Sequence, residues 1–270
     1  MKLHTSSRIA VTGSKGNQEK WLRDGRWYKL DSAGYEGLAE AVCSALLAKT
    51  NLPELGFRFV PYRVEHVEAH GRPRVGCSSA DFRSEDESIR TLADLLRLGV
   101  GEDWRTQAER ERSIRERIRW IVKRTVELTG LSDFGAYLTA LFEADMLFAN
   151  EDRHMNNIAV IRRGEAFDYC PMFDFGAGLL SNVRDYPMDV EPRGLLGSVR
   201  ARPMECGFTR QVHAAQELYG AKLRCDFTDA DVREALEAAL PFYAKRDAPY
   251  IRDRAAYCIM TQRKKLFGSR

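Results

Sequence analysis

The feature that most constrains this chain is a run that is apolar on nearly every side: Tyr137, Leu138, Leu141, Phe142, Met146 and Leu147. A helix that is apolar all round has to be buried all round. Ser132 offers a cap and Asp133 an acid in the first turn, so the predicted helix starts there. It delivers the chain straight into a polar loop, Asn150-Glu151-Asp152-Arg153-His154-Met155-Asn156-Asn157. The sequence then runs through apolar Ile158 to Ile161, turns at Arg162-Arg163-Gly164 and returns to Asp174-Phe175-Gly176. A hairpin over this stretch brings Asp174 back beside Asn157. Asp152 is then placed to orient and deprotonate a hydroxyl. Asn157 and Asp174 are placed to hold a hard cation carrying phosphate oxygens.

The first part of the chain has a different pattern. Arg8 to Thr12 reads as a strand, followed by the small-residue turn Gly13-Ser14-Lys15-Gly16-Asn17, which allows close backbone approach. Glu19 to Leu22 is extended, Asp24-Gly25 is a strong hairpin turn, and Trp27 to Leu30 returns, carrying Lys29. Gly34 to Leu47 is predicted to be helical, with Leu38, Val42, Ala45 and Leu46 on one face. Glu36 and Glu40 lie one turn apart, and either supplies a carboxylate for Lys29, with Glu36 preferred. Two further strands are expected, from Phe57 to His66 and from Arg72 to Ser78, with Pro61 marking an edge or bend. Ser78-Ser79-Ala80-Asp81-Phe82 breaks the β pattern, and beyond it the sequence reads as almost wholly helical. Helices are expected at Thr91 to Leu98, Arg105 to Leu128, Phe208 to Tyr219 and Thr228 to Ala239, and a last one from Pro241 or Pro249. The stretch from Gly176 to Pro203 is too long for a passive connector, which implies function or disorder. This shift divides the chain into residues 1–80, a β-rich lobe with one helix, and residues 81–270, a helical lobe that carries the polar loop and Asp174.

Composition excludes several classes. In 270 residues no apolar run approaches the ~20 needed to cross a bilayer, and Met1-Lys2-Leu3-His4-Thr5 lacks the apolar core of a leader, so a cytoplasmic protein without membrane contact is expected. None of the six cysteines forms a Cys-x-x-Cys pair, which points to reduced thiols rather than a disulfide framework or zinc site. A net charge of +3 is too small to imply nucleic acid, and the basic stretches at 105–124 and 252–265 read as solvated helix faces.

Asp152-Arg153-His154-x-x-Asn157 followed by Asp174-Phe175-Gly176 resembles the atypical protein-kinase-like fold. The Asp-Arg-His order is shared with phosphoinositide 3-kinase-related kinases, and Pro171-Met172-Phe173-Asp174 is similar to the HipA-like bacterial serine/threonine kinases. The Ala201-Arg202-Pro203 segment also looks HipA-like, and the chain reads as a stand-alone catalytic version without that family's extra N-terminal subdomain. The resemblance implies an α+β, bilobal fold with a small β-rich N-lobe and a larger helical C-lobe. It implies ATP and Mg2+ as cofactors and a protein or small-molecule hydroxyl as acceptor. Carried over by position, Asp152, Arg153 and His154 are catalytic, and Asn157 and Asp174 bind metal. Gly13, Ser14, Lys15 and Gly16 cover the phosphates, with Ser14 a candidate for autophosphorylation. Lys29 and Glu36 form the nucleotide-binding pair, and Ser78, Ser79, Ala80 and Asp81 form the adenine-binding hinge. The rival expectations are a small-molecule, lipid or peptide-natural-product kinase on the same fold, and a nucleotide-binding pseudokinase.

Overall fold

The computed structural model describes residues 18–268. The predicted strand at Arg8 to Thr12 and the whole Gly13–Gly16 turn lie outside them.

Asp24 and Gly25 both take positive φ, 49° and 69°, as a two-residue hairpin turn requires. They join β1 (Lys20–Arg23) to β2 (Arg26–Leu30), and the turn fixes Lys20 opposite Lys29. α1 follows (Glu36–Leu47), then the hairpin β3 (Arg63–Ala69) and β4 (Arg72–Ala80) around His70-Gly71. The four strands form one antiparallel sheet in the order β1-β2-β4-β3. One face of it buries Trp21, Tyr28, Leu30, Val67 and Ala69.

The second lobe holds the central helix anticipated above. α5 (Phe134–Phe148) buries every residue except Ala136. Its cap differs from the expectation: Asp133, not Ser132, occupies the N-cap, without a side-chain bond, and the Tyr169 hydroxyl accepts from the Asp133 N–H at 2.9 Å. The predicted long helix from Arg105 is two helices, α3 (Trp104–Glu109) and α4 (Ile114–Thr129). Ser113 restarts the second by accepting from the Glu116 N–H at 3.1 Å. α2 (Leu92–Gly99) is capped by Thr91.

A strand was missed. β5 (Glu87–Thr91) pairs with β6 (Ala159–Arg163), which pairs with β7 (Ala166–Tyr169), so the hairpin read from the sequence is one side of a three-stranded sheet. Within the stretch expected to be irregular, Pro192–Ser198 forms α6. α7 (Phe208–Tyr219), α8 (Asp229–Ala239, with a Thr228–Asp231 capping box) and α9 (Ala248–Phe267) complete the described chain. Leu38, Val42 and Leu46 of α1 belong to the same buried cluster as Leu141, Phe142 and Phe148 of α5 and Leu236 of α8. α1 is therefore fixed to the lower lobe by apolar packing, each buried Leu or Phe contributing roughly 1.5–3 kcal/mol. Its position relative to the loop after α5 is set by the core.

Candidate functional site

The side chains that matter come from three elements. β2 supplies Lys29, 8% exposed. α1 supplies Glu40, and the chain after β7 supplies Asp174. Lys29 Nζ lies 2.5 Å from Glu40 Oε1 and 2.6 Å from Asp174 Oδ1. The second oxygen of Glu40 accepts from the Phe175 N–H at 2.8 Å, so one carboxylate holds both the lysine and the backbone beside Asp174. Burial lowers the Lys29 pKa, but Asp174 and Glu40 outweigh it and the net shift is upward. Burial likewise opposes ionisation of Asp174, but Lys29 and then Lys20 outweigh it and hold the carboxyl well below its usual range. The lysine and Asp174 both stay charged. Asp174 sits at φ 65°, a left-handed conformation that a non-glycine residue adopts at a cost of order 1–3 kcal/mol.

Glu36, the preferred partner in the sequence reading, does not reach Lys29. It opens α1, a full turn before Glu40, and bends back. Its Oε1 accepts from the Ala33 N–H at 2.7 Å and the Ser32 hydroxyl at 3.1 Å, and its Oε2 from the Gly34 N–H at 3.0 Å. The orphan N–H groups before the helix claim it. Gly34 is required here because a Cβ would lie 1.9 Å from the Ser181 carbonyl oxygen.

The loop after α5 is organised by a buried ion pair. Arg153, 1% exposed, donates from Nε to Asp145 Oδ2 at 3.0 Å and from Nη2 to Asp145 Oδ1 at 3.0 Å. Its Nη1 donates to the carbonyls of Asn157 (2.8 Å) and Phe173 (2.6 Å). Asn150 adds Nδ2 bonds to Asp145 Oδ1 (2.7 Å) and the Asp174 carbonyl (3.3 Å). Arg153 was expected among the catalytic residues. Its Nε, Nη1 and Nη2 are spent on Asp145 and on the carbonyls of the loop's own frame. Asp145 and Asn150, which carry that frame, were not singled out from the sequence.

Asp152 is half-open. Its Oδ1 lies 3.5 Å from Arg202 Nη1, and its Oδ2 lies 3.8 Å from His154 Nε2. Burial pushes the Asp152 pKa up against His154, and Asp174 pushes the same way. Asn157 donates from Nδ2 to the Asp152 carbonyl at 2.9 Å. Asp152, Asn157, Asp174, Gly176 and Ser32 line one pocket of about 110 Å3. The three polar residues anticipated from the sequence therefore meet. Asn157 keeps its amide oxygen and Asp174 its Oδ2 free of any described hydrogen bond, two hard oxygen donors on one pocket. That set fits Mg2+, which keeps waters and phosphate oxygens and uses few protein ligands. Among the described residues no group of three or more His, Cys, Asp or Glu forms a metal cage.

Lys20 was passed over as an ordinary strand residue. The β1–β2 register puts it across from Lys29. Burial lowers its pKa, opposed first by Asp174, so it stands within the field of the same carboxylate. The signal was legible in the Asp24-Gly25 turn, which fixes that pairing. The expected hinge is partly strand. β4 runs through Ala80, and the Ser78 hydroxyl donates to Glu65 Oε1 at 2.5 Å and accepts from Arg26 Nη2 at 2.9 Å. β3 ends its pairing at Ser78, so the backbone at Ser79 and Ala80 has no β3 partner. The Asp81 N–H is committed to the Gly25 carbonyl at 2.8 Å.

The fold has a solved counterpart. The structure of a Helicobacter pylori proinflammatory kinase, CtkA, superposes with a TM-score of 0.61 over 97% of this chain and 93% of that one, at 13% identity. HipA of Shewanella oneidensis MR-1, solved with HipB and operator DNA, superposes with a TM-score of 0.47 over 97% of this chain and 66% of that one, also at 13% identity. No protein-family model and no curated protein matches the sequence. The chain has the bilobal, kinase-like α+β fold, the class its catalytic-loop motif led us to expect. At 13% identity the likeness to CtkA is one of fold.

Proposed function

We propose that this chain is an ATP- and Mg2+-dependent phosphotransferase, a HipA-like serine/threonine protein kinase that moves the γ-phosphoryl group to a protein hydroxyl. The observation that carries the reading is the convergence of Lys29, Glu40 and Asp174 with Asn157 and Asp152 around one pocket. Lys29, held by Glu40, and Lys20 supply positive charge for phosphate oxygens. Asn157 and Asp174 are the residues to hold Mg2+, which when bound neutralises charge on the transferring group. Asp152 orients the acceptor hydroxyl and takes its proton as the new oxygen–phosphorus bond forms and the bond to the departing ADP breaks. Arg153 and Asn150 keep the loop in register for that step, a contribution of positioning. Ser79 and Ala80 offer backbone for adenine. A protein acceptor is favoured over an enclosed small-molecule pocket because the Asp152 side chain is 26% exposed and that of Arg202 beside it 35%. No helix among the described residues is long and apolar enough to cross a membrane.

The test is incubation with Mg2+ and γ-labelled ATP in the presence of a protein lysate. Label on serine or threonine, lost in both Asp152→Ala and Asp174→Ala, is the expected result. Nucleotide-dependent thermal stabilisation without transfer would assign the chain to a nucleotide-binding pseudokinase instead.

A further inference from the structure

The segment flanking the acceptor side of the pocket is held firmly. Ala201 and Cys206 exchange backbone hydrogen bonds in both directions, at 2.7 and 3.3 Å, which folds 201–206 into a tight loop. Buried Gln211 of α7 clamps it from within. Its Nε2 donates to the Arg202 carbonyl at 3.0 Å, and its Oε1 accepts from the Met204 N–H at 3.2 Å. Arg202 is thus projected from a fixed backbone onto Asp152.

Three more arginines surround the same loop. Arg200 leads into it, Arg210 lies in the first turn of α7, and Arg117 lies on α4, which packs against α7. Burial pushes the Cys206 thiol up, and Arg210, Arg200 and Arg117 all oppose it, so their fields overlap at one point. Among the described residues none of these three forms an ion pair with a carboxylate, whereas their neighbours Arg115 and Arg124 pair with Glu217 and Glu127. Arg200 Nη2 donates to the Glu205 carbonyl at 3.2 Å, and among the described residues the Nε of Arg117 is buried without a hydrogen-bond partner. Clustered cations of this kind repel one another and attract an anionic partner.

Arg202 Nη1 lies 3.5 Å from Asp152 Oδ1, so an incoming carboxylate competes with Asp152 for the same guanidinium.

We propose that Arg202, Arg200, Arg210 and Arg117 form the docking track for the acceptor, and that the acceptor is a serine- or threonine-bearing polypeptide segment with acidic residues beside the hydroxyl. The inference rests on the phosphotransferase reading above for the identity of the hydroxyl. A carboxylate next to the hydroxyl draws Arg202 off Asp152, and further carboxylates meet the other three arginines. An extended polypeptide fits better than a small acceptor, because a small acceptor would engage Arg202 alone.

The test measures binding first, so that it does not depend on turnover. Fluorescein-labelled serine peptides of equal length, with Glu, Ala or Lys at the positions flanking the serine, are titrated with the full chain and followed by anisotropy. The Glu peptides should bind about tenfold or more tightly than the Ala peptides, and the preference should weaken with salt. Arg202→Gln and the doubly substituted Arg200→Gln/Arg210→Gln, all at solvent-accessible positions, should each erode that preference. Equal affinity for Glu and Ala peptides, or an unchanged preference in both variants, overturns the proposal. An oligonucleotide of matched charge binding as tightly as the Glu peptide overturns it too, by making the strip a general polyanion surface. The same peptides with labelled ATP separate the two readings. A Glu preference in binding without transfer to any peptide removes the phosphotransferase and leaves the docking track supported.

Discussion

Two buried ion pairs lie within one site, and they are built for opposite ends. Arg153 and Asp145 are 1% and 0% exposed, so the pair is shut off from the pocket. Burial lowers the Arg153 pKa, but Asp145 more than restores it, and the pair is sealed. Lys29 faces two carboxylates, one of them 21% exposed toward the pocket, with a second lysine in the field. Replacing a sealed pair with apolar groups can leave stability unchanged, but removing one partner strands the other. An open cluster gives up less stability on substitution, because its charges retain other partners or solvent. The difference teaches that burial of charge alone does not separate the two clusters; only the second leaves a carboxylate facing an open pocket.

The largest expected effect breaks the sealed pair. Arg153→Met keeps volume but leaves Asp145 buried and uncompensated, at a cost of about 3–5 kcal/mol in a denaturant titration. A midpoint within error of wild type would mean that the loop after α5 is held by something else. The open cluster should answer in activity. Asp174→Asn should lower label transfer on the order of 10²–10³-fold, as for removal of other electrostatic catalytic groups, while the denaturation midpoint stays close to wild type. Loss of fold in Asp174→Asn would erase the contrast between the two pairs.

Another buried acid sharpens the comparison, because among the described residues no cation pairs with its carboxylate; Arg74 Nη2 donates only to the Asp31 backbone carbonyl, at 3.0 Å. Asp31 accepts from the Gly37 N–H at 2.6 Å and from the Tyr243 hydroxyl at 2.7 Å, tying the start of α1 to the residues between α8 and α9. Burial pushes its pKa up to about 7; Tyr243 and the Gly37 N–H oppose this, Glu36 adds to it and Arg74 lowers it. Below about pH 4 both folded and unfolded chains hold the proton. Between there and 7 only the folded chain does, so stability falls as pH rises through that window, and the cost is complete above 7. Asp31→Asn removes the titration. The stability of wild type relative to this variant should decline by roughly 1–3 kcal/mol between pH 5 and 8, read from paired urea titrations. Parallel pH profiles would show that Asp31 is ionised throughout and leave the α1 tether without a proton switch.

The legible parts of this molecule were those fixed by short-range chemistry. Asp24-Gly25 dictated a hairpin and its register. The apolar character of α5 dictated burial, and the apolar run after Asn157 with its turn at Gly164 dictated the return to Asp174. The parts that were not legible depend on distant partners. β5 carries one large apolar residue, Ile89, and is a strand only because β6 arrives some seventy residues later. Arg153 reads from the motif as a catalytic cation, and only the fold shows Asp145, in the last turn of α5, meeting it. The break between α3 and α4 was legible and overlooked: Ser113-x-x-Glu116 is a capping signature lying inside a charge-rich helical pattern. Lys20 was overlooked in the same way, since its register followed from the turn already recognised.

The smallest expected effect separates the two glutamates that the sequence left nearly even. Helical geometry places Glu36 and Glu40 on one face about 6 Å apart along the axis, so both point toward the same side. Only the later one clears the turn before the helix and reaches Lys29. Glu36→Ala should forfeit the cap on Ala33 and Gly34 and cost about 1 kcal/mol of stability, in the range of a lost helix cap. Transfer from labelled ATP should fall by less than about tenfold, because Lys29 keeps both of its carboxylates. Glu40→Ala takes away the bond to Lys29 and the bond to the Phe175 N–H together, and should cost at least as much activity as Asp174→Asn. If the two alanine variants lost transfer equally, the pairing of Lys29 with Glu40 would not be the arrangement that works in turnover, and a shift of α1 by one helical turn would have to precede the chemistry.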